Sequence, residues 1–232
     1  MTKAKPYELL IFDWDGTLMD SHARIVACLQ GAANDVAAAP LAAEAARNII
    51  GLGLGEAIRA LYPDADAVFV ERFTAAYRER FLGDGEAPEA MFDGAHEVLD
   101  ALERNGYLLA VATGKGRAGL DRVLAQAGLM NRFHVTRCAD ETFSKPHPAM
   151  LEQILEFTGV DPAQALMIGD TTYDLEMAHN AGVDSLGVSY GAHPPEVLAQ
   201  WRPQAILERI DVLPGWLLEH DRRHPAQAAS QP

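Results

Sequence analysis

Phe12-Asp13-Trp14-Asp15-Gly16-Thr17-Leu18-Met19-Asp20-Ser21 is the stretch on which the reading of this chain turns. Just ahead of it, Leu9-Leu10-Ile11-Phe12 is a continuous apolar run flanked by the β-favouring Tyr7. Such a run reads as a buried strand. Side chains on a strand alternate faces, so Asp13 and Asp15 point one way and Trp14 the other. Two carboxylates then stand together at the strand's exit, before Gly16 turns the chain. Like charges that close raise one pKa unless a cation joins them, and a hard divalent ion with oxygen ligands, such as Mg2+, is the natural neutraliser. The same residues also fit an ordinary acidic Asp-Gly turn after a strand, so the rest of the chain has to decide.

Downstream of Ser21 the periodicity becomes helical. Residues 22–39 carry Ile25, Val26, Leu29, Ala33 and Val36 at helical spacing, with Asp20 or Ser21 as the expected N-cap. Further helices are expected over 41–50, 56–61 and 64–82, and no good strand appears between Ser21 and Gly83. This is a block of four helices inserted directly after the first strand. Gly83-Asp84-Gly85-Glu86-Ala87-Pro88 has linker composition.

After the linker, strand and helix alternate. Helices are expected over 95–105, 117–127, 148–158, 173–180 and 195–201, and strands over 107–112, 134–139, 165–168, 185–189 and 205–207. Alternation with short links predicts a doubly wound parallel α/β sheet with helices on both faces. The expected partition is a core of residues 1–20 and 86–220, a helical cap of 21–85, and a polar, disordered tail from 221 to 232.

Ligands on such sheets bind beyond the carboxyl ends of the strands. After the strand 107–112 comes Thr113-Gly114-Lys115-Gly116-Arg117, where a hydroxyl and unencumbered N–H groups suit a phosphate oxygen, although a plain Gly-rich connector reads the same. After 134–139 comes Ser144-Lys145-Pro146-His147-Pro148, with two prolines fixing the backbone around Lys145. After 165–168 comes Gly169-Asp170-Thr171-Thr172-Tyr173-Asp174. Asp170 can reach a metal opposite Asp13, and Asp174, one helical turn on, would bind through water or brace the ligands. Acids at a helix N-terminus are the plainer explanation of that pair.

Taken together, D-x-D-G-T at Asp13–Thr17, Thr113, Lys145 in K-P-x-P and G-D-x-x-x-D ending at Asp174 resemble the four motifs of the haloacid dehalogenase-like superfamily, in its phosphatase branch. The motifs fall in the family's order, each at a different strand end. The resemblance implies a Rossmann-like core with a helical cap and a Mg2+-dependent phosphomonoester hydrolase. It implies that Asp13 attacks phosphorus and forms an aspartyl-phosphate, and that Asp15 acts as acid and then base. Thr113 and Lys145 would hold the phosphate, helped by N–H groups near Trp14, Asp15 and Gly114, with Lys115 adding charge nearby. Mg2+ would be held by Asp13, the backbone carbonyl of Asp15, and Asp170, with Asp174 behind. In the helical block, Ile50-Gly51-Leu52-Gly53-Leu54 resembles the cap of phosphoglycolate phosphatases, which makes Arg47 and Asn48 candidate contacts for the leaving group. The Gly-x-Gly-x-Gly run also reads as a flexible turn between helices, and His22, close behind the first motif, either faces the leaving group or, as the plainer expectation, is a surface residue. The second motif reads Thr-Gly-Lys, where phosphoglycolate phosphatases more usually carry Thr-Asn-Lys.

The composition bounds the alternatives. At 232 residues, 49% hydrophobic and 22% charged, the chain is of globular type, with no apolar run of the ~18 residues that span a bilayer. No signal-peptide pattern precedes Asp13, so the expected location is the cytoplasm. A net charge of −14 argues against nucleic acid or an anionic membrane as partner. A small phosphorylated metabolite is the expected partner, and oligomeric state is not readable. Cys28 and Cys138 stand in no metal spacing, and the eight His form no zinc motif. Two rivals within the fold are a hexose-phosphate mutase, for which no bisphosphate-holding cap residues are evident, and a dehalogenase, against which Asp15 and the Asp170/Asp174 pair count. A non-catalytic phosphate-sensing domain is the rival from another class.

Overall fold

A computed structural model describes residues 6–83 and 89–223. The chain opens with strand β1 (Leu9–Phe12) and the short β2 (Met19–Asp20). Helices α1 (His22–Asp35), α2 (Ala43–Asn48), α3 (Leu54–Leu61) and α4 (Ala67–Leu82) follow. After β3 (Ala90–Met91) come α5 (Ala95–Arg104), β4 (Leu108–Thr113), α6 (Arg117–Gln126), β5 (Val135–Cys138) and α7 (Ala149–Thr158). The chain finishes with β6 (Ala165–Gly169), α8 (Thr172–Asn180), β7 (Asp184–Val188), α9 (Pro195–Leu198), β8 (Ile206–Leu207) and α10 (Leu213–Arg223).

Six strands form a parallel sheet in the order β5-β4-β1-β6-β7-β8. β1 lies between β4 and β6, with Phe12 opposite Val111 on one side and Ile168 on the other. All four residues of β1 are buried, as a strand covered on both faces requires. Their alternation sorts them. Leu10 and Phe12 pack with Val98 and Leu99 of α5 and Leu120 and Val123 of α6. Leu9 and Ile11 pack with Met150 and Ile154 of α7 and Met177 and Ala178 of α8. Trp14 continues the even-numbered side into the first of these clusters and meets Phe133 edge-on at 6.2 Å. Connections depart to opposite sides of β1, so the carboxyl end of β1 is the point where the topology switches and a crevice opens.

The four helices between β2 and β3 share their own buried cluster, which includes Ile25, Leu29, Ala46, Ile58, Phe73 and Phe81. The chain leaves for them and returns along a two-stranded antiparallel ribbon, Met19 opposite Met91 and Asp20 opposite Ala90. Sequence pattern did not anticipate this ribbon, because two residues per strand carry no periodicity. The helix expected over 22–39 stops at Asp35, and Ala37 turns the chain with φ +55°. The helix expected from Asp64 starts at Ala67, where the Asp66 carboxylate caps it by accepting from Phe69 N at 2.7 Å. Residues 221–223, expected as the start of a tail, are helical instead, because α10 runs on to Arg223 with Leu213 and Leu217 buried in the core. Residues 224–232 and the linker residues 84–88 lie outside the described residues.

Candidate active site

The strand ends converge as the register dictates. Asp13 follows β1 directly and its N–H donates to Ile168 O at 2.9 Å, tying it to β6. Asp170 follows β6, Thr113 ends β4, and Lys145 sits in the loop after β5, its peptide to Pro146 being cis. Asp13, Asp170 and Asp174 place carboxylate oxygens within 4.8 Å of one another, and all three are buried. Lys145 reaches into this group with 1% of its surface exposed. Its Nζ lies 2.7 Å from Asp13 Oδ1 and donates to Asp174 Oδ1 at 2.6 Å.

The electrostatics follow from that crowding. Burial pushes the Asp13 carboxyl well above the usual range; Lys145 pulls it down, and Asp174 and Asp170 push it up again. Burial alone would lower the Lys145 ammonium, but Asp13 and Asp174 more than reverse this and raise it. Three carboxylates against one buried ammonium leave negative charge uncompensated. Asp13 Oδ2 has no hydrogen-bond partner among the described residues. An oxygen donor set with an orphaned buried carboxylate oxygen fits a hard cation.

Each acid has a distinct set of partners. Asp174 Oδ2 accepts from the N–H and the hydroxyl of Thr171, at 3.1 and 2.7 Å. The helix-capping role and the site role are therefore one arrangement: one oxygen caps α8 and the other holds Lys145. Asp170 Oδ1 accepts from Thr17 Oγ1 at 3.1 Å, and Oδ2 from Ala192 N at 2.7 Å. His22 Nε2 stands 3.3 Å from the same Oδ2. His22 is buried, which corrects the surface reading; burial lowers its pKa, and Asp170 outweighs this to leave it raised. Gly16, at φ +82°, makes the approach possible, since a Cβ there would lie 2.1 Å from His22 Nε2.

Asp15 lies outside the three-acid group. Lys115 Nζ donates to both its oxygens, at 2.8 and 2.9 Å, and Ser21 Oγ donates to Oδ1 at 2.5 Å. Ser21 was expected as an N-cap; it occupies that position, but its hydroxyl serves Asp15 and makes no cap bond. Lys115 Nζ also sits 4.4 Å from the centre of the Phe81 ring, so one ammonium touches the acid and helix α4 together.

Above Asp13 and Asp15 is a cavity of about 510 Å3, which Thr113, Gly114 and Lys115 also line. Thr113 Oγ1 accepts from Lys115 N at 3.1 Å. The Trp14 side chain faces the opposite core, so only its backbone is on the site's side of the strand. Arg47 is exposed and does not line the cavity; the structure does not bring it to the site. The same holds for Asn48, whose carbonyl instead accepts from Tyr173 Oη at 3.0 Å. Thr172 N donates to His193 Nδ1, which leaves the ring proton on Nε2, 3.2 Å from that same Asn48 oxygen. The Gly51–Gly53 turn is not a free connector. Gly53 N donates to Ser144 Oγ at 2.7 Å, and a Cβ on Gly114 would lie 2.4 Å from Gly51 O. The roles of Tyr173, Ser144 and His193 escaped the sequence reading, because each acts through a partner distant in the chain, and Ser21 was read only as a cap.

Comparison with known proteins identifies a family. The family model described as haloacid dehalogenase-like hydrolase matches residues 10–188. A protein of Dickeya dadantii named "Probable phosphatase IndB" is 38% identical over 213 residues, covering 89% of this chain and 92% of that one. A protein of Agrobacterium fabrum named "Phosphoglycolate phosphatase" is 30% identical over 228 residues, covering 94% and 96%. Among solved structures, one described as a predicted phosphatase from Clostridium acetobutylicum superposes with a TM-score of 0.82 at 26% identity, covering 92% of this chain and 99% of that one.

Proposed function

The chain belongs to the haloacid dehalogenase-like hydrolase family and is a phosphatase, and from there we propose that it hydrolyses small phosphomonoesters with Mg2+ through an aspartyl-phosphate on Asp13. The observation that carries this is Asp13 itself. Its orphaned carboxylate oxygen sits at the floor of a 510 Å3 cavity, beside Lys145 and two further acids.

Asp13 forms the new oxygen–phosphorus bond as the ester oxygen–phosphorus bond breaks in line. Asp15, when protonated, gives its proton to the departing alkoxide; as carboxylate it then takes one from water, whose oxygen displaces Asp13 and releases inorganic phosphate. Lys145 and the Thr113 hydroxyl hold phosphate oxygens, and Lys145 offsets the repulsion between Asp13 and the phosphate. Asp13 and Asp170 would hold Mg2+ with the Asp15 carbonyl, and Asp174 would brace the set. The ion supplies charge neutralisation for the transferring group. The helices α1–α4 act as a cap whose Gly51–Gly53 turn shuts the cavity from bulk water. Support for phosphoglycolate as substrate is the name of the Agrobacterium relative and the Ile50–Leu54 resemblance. Against it stand Gly114 in the second motif and the position of Arg47.

Phosphate release with Mg2+ tests the reading. Asp13→Asn is expected to lower the rate by at least a factor on the order of 10^4. Equal rates in the two proteins would overturn it.

A further inference from the structure

The walls of the 510 Å3 cavity are of a different character from its floor. Ile25, Leu29, Ile50, Leu52, Leu54 and Phe81 face it from the helical segment. The charged groups near the floor are committed: Lys115 to Asp15, and Lys145 to Asp13 and Asp174. The remaining charged side chains of the helical segment that line the cavity, Glu56 and Arg78, are exposed, which puts them toward its mouth.

A two-carbon acid on the phosphate fits these walls poorly. A cavity of about 510 Å3 is within the range that holds drug-sized ligands, and a glycolyl group would leave most of it filled with water. Its carboxylate would also meet walls that are mainly apolar, where a charge is poorly solvated. A cavity of this volume with mainly apolar lining matches an organic ligand of considerable size.

We propose that the alcohol released by this enzyme has a bulky apolar body, a ring or a branched or extended hydrocarbon, lying against α1, α4 and the Ile50–Leu54 turn. Any charged group on it lies at the end remote from phosphorus, beside Arg78 or Glu56. This inference rests on the phosphomonoesterase reading above and specifies its substrate class.

The test is a series of n-alkyl phosphates from ethyl to hexyl, run with the full chain and Mg2+ beside phosphoglycolate and acetyl phosphate. The alkyl esters share nearly one leaving-group basicity, so a trend in kcat/KM reads the walls and not the chemistry. Acetyl phosphate is reactive enough to report the floor without help from the walls. The expected result is a rise of roughly fourfold per methylene, with hexyl phosphate on the order of 100-fold above phosphoglycolate. A flat or falling series, or phosphoglycolate above hexyl phosphate, while acetyl phosphate is hydrolysed, overturns this inference and leaves the phosphatase intact. No phosphate release from any member, acetyl phosphate included, overturns both.

Discussion

Asp13 is 1% exposed and shares its surroundings with two other acids. The folded chain tolerates it because Lys145 pairs with both Asp13 and Asp174. Removing that ammonium leaves buried charges without a counterion, which typically costs about 3–5 kcal/mol. Lys145→Met is therefore expected to unfold at lower denaturant than wild type by about that free energy when no metal is present, measured by equilibrium unfolding. A divalent metal bound to the same acids would offset their charge too. A ligand that binds only the folded state at a hundredfold excess over Kd stabilises it by about 2.7 kcal/mol. Mg2+ is expected to raise the Tm of wild type, and Asp170→Asn to remove that rise; calorimetry with and without the ion checks it. Asp13, Thr113, Lys145 and Asp170 were legible as single letters because each ends or follows a strand, where chemistry collects in such sheets. The partners of Asp15 were not. Ser21 and Lys115 reach it across 6 and 100 positions of chain, a relation no local spacing encodes.

The Gly51–Gly53 turn and the Thr113–Gly116 turn are each ordinary to read and specific only as a pair. Gly114 has no room for a side chain, since its Cβ would lie 2.4 Å from Gly51 O and 2.6 Å from Leu52 O, both backbone atoms. That contact gives a physical reason for glycine in the second motif of this chain. Gly114→Ala is expected to push the turn off the core, costing about 1–3 kcal/mol. Displacing a wall of the site by about an ångström is expected to lower kcat/KM on the order of 100-fold. Unfolding and steady-state kinetics on the one variant test both, and a variant matching wild type in each would show that the turn is not seated there in solution. Tyr173 from the first turn of α8 and His193 from the loop after β7 converge on the carbonyl of Asn48, so the same turn is held at its near end as well. Helix and strand identities were readable from periodicity, whereas the β2–β3 ribbon was too short to leave any.

For the molecule as a whole, several ionisable groups are held neutral by burial. Burial pushes the Cys138 thiol from 9.0 up to about 12 and, as the leading cause, the Tyr107 hydroxyl from 10.0 up to about 12. Tyr7 and Tyr190 are raised too, first by burial, with Asp184 adding to Tyr7 and Asp170 to Tyr190. The unfolded chain loses these protons at lower pH than the folded one, so rising pH lowers the free energy of the unfolded chain first. Their contribution is complete below pH 9.0 and falls as pH rises from there through about 12. The denaturant midpoint is expected to drop steadily across that range, and a midpoint independent of pH there would contradict the assignment.

The apolar run before Asp13, the alternation after residue 95 and four short motifs were enough to specify a doubly wound parallel sheet with acids, an amine and a hydroxyl at its strand ends. They suffice because burial on both faces dictates an uninterrupted hydrophobic strand, and because parallel strands put all their carboxyl ends on one edge. The identity of the Asp15 partners, the burial of His22, the docking of Gly51 against Gly114 and the apolar walls over Asp13 and Asp15 came only with the assembled chain. Each depends on groups that long-range packing brings within a few ångströms, and a linear pattern holds no record of such distances.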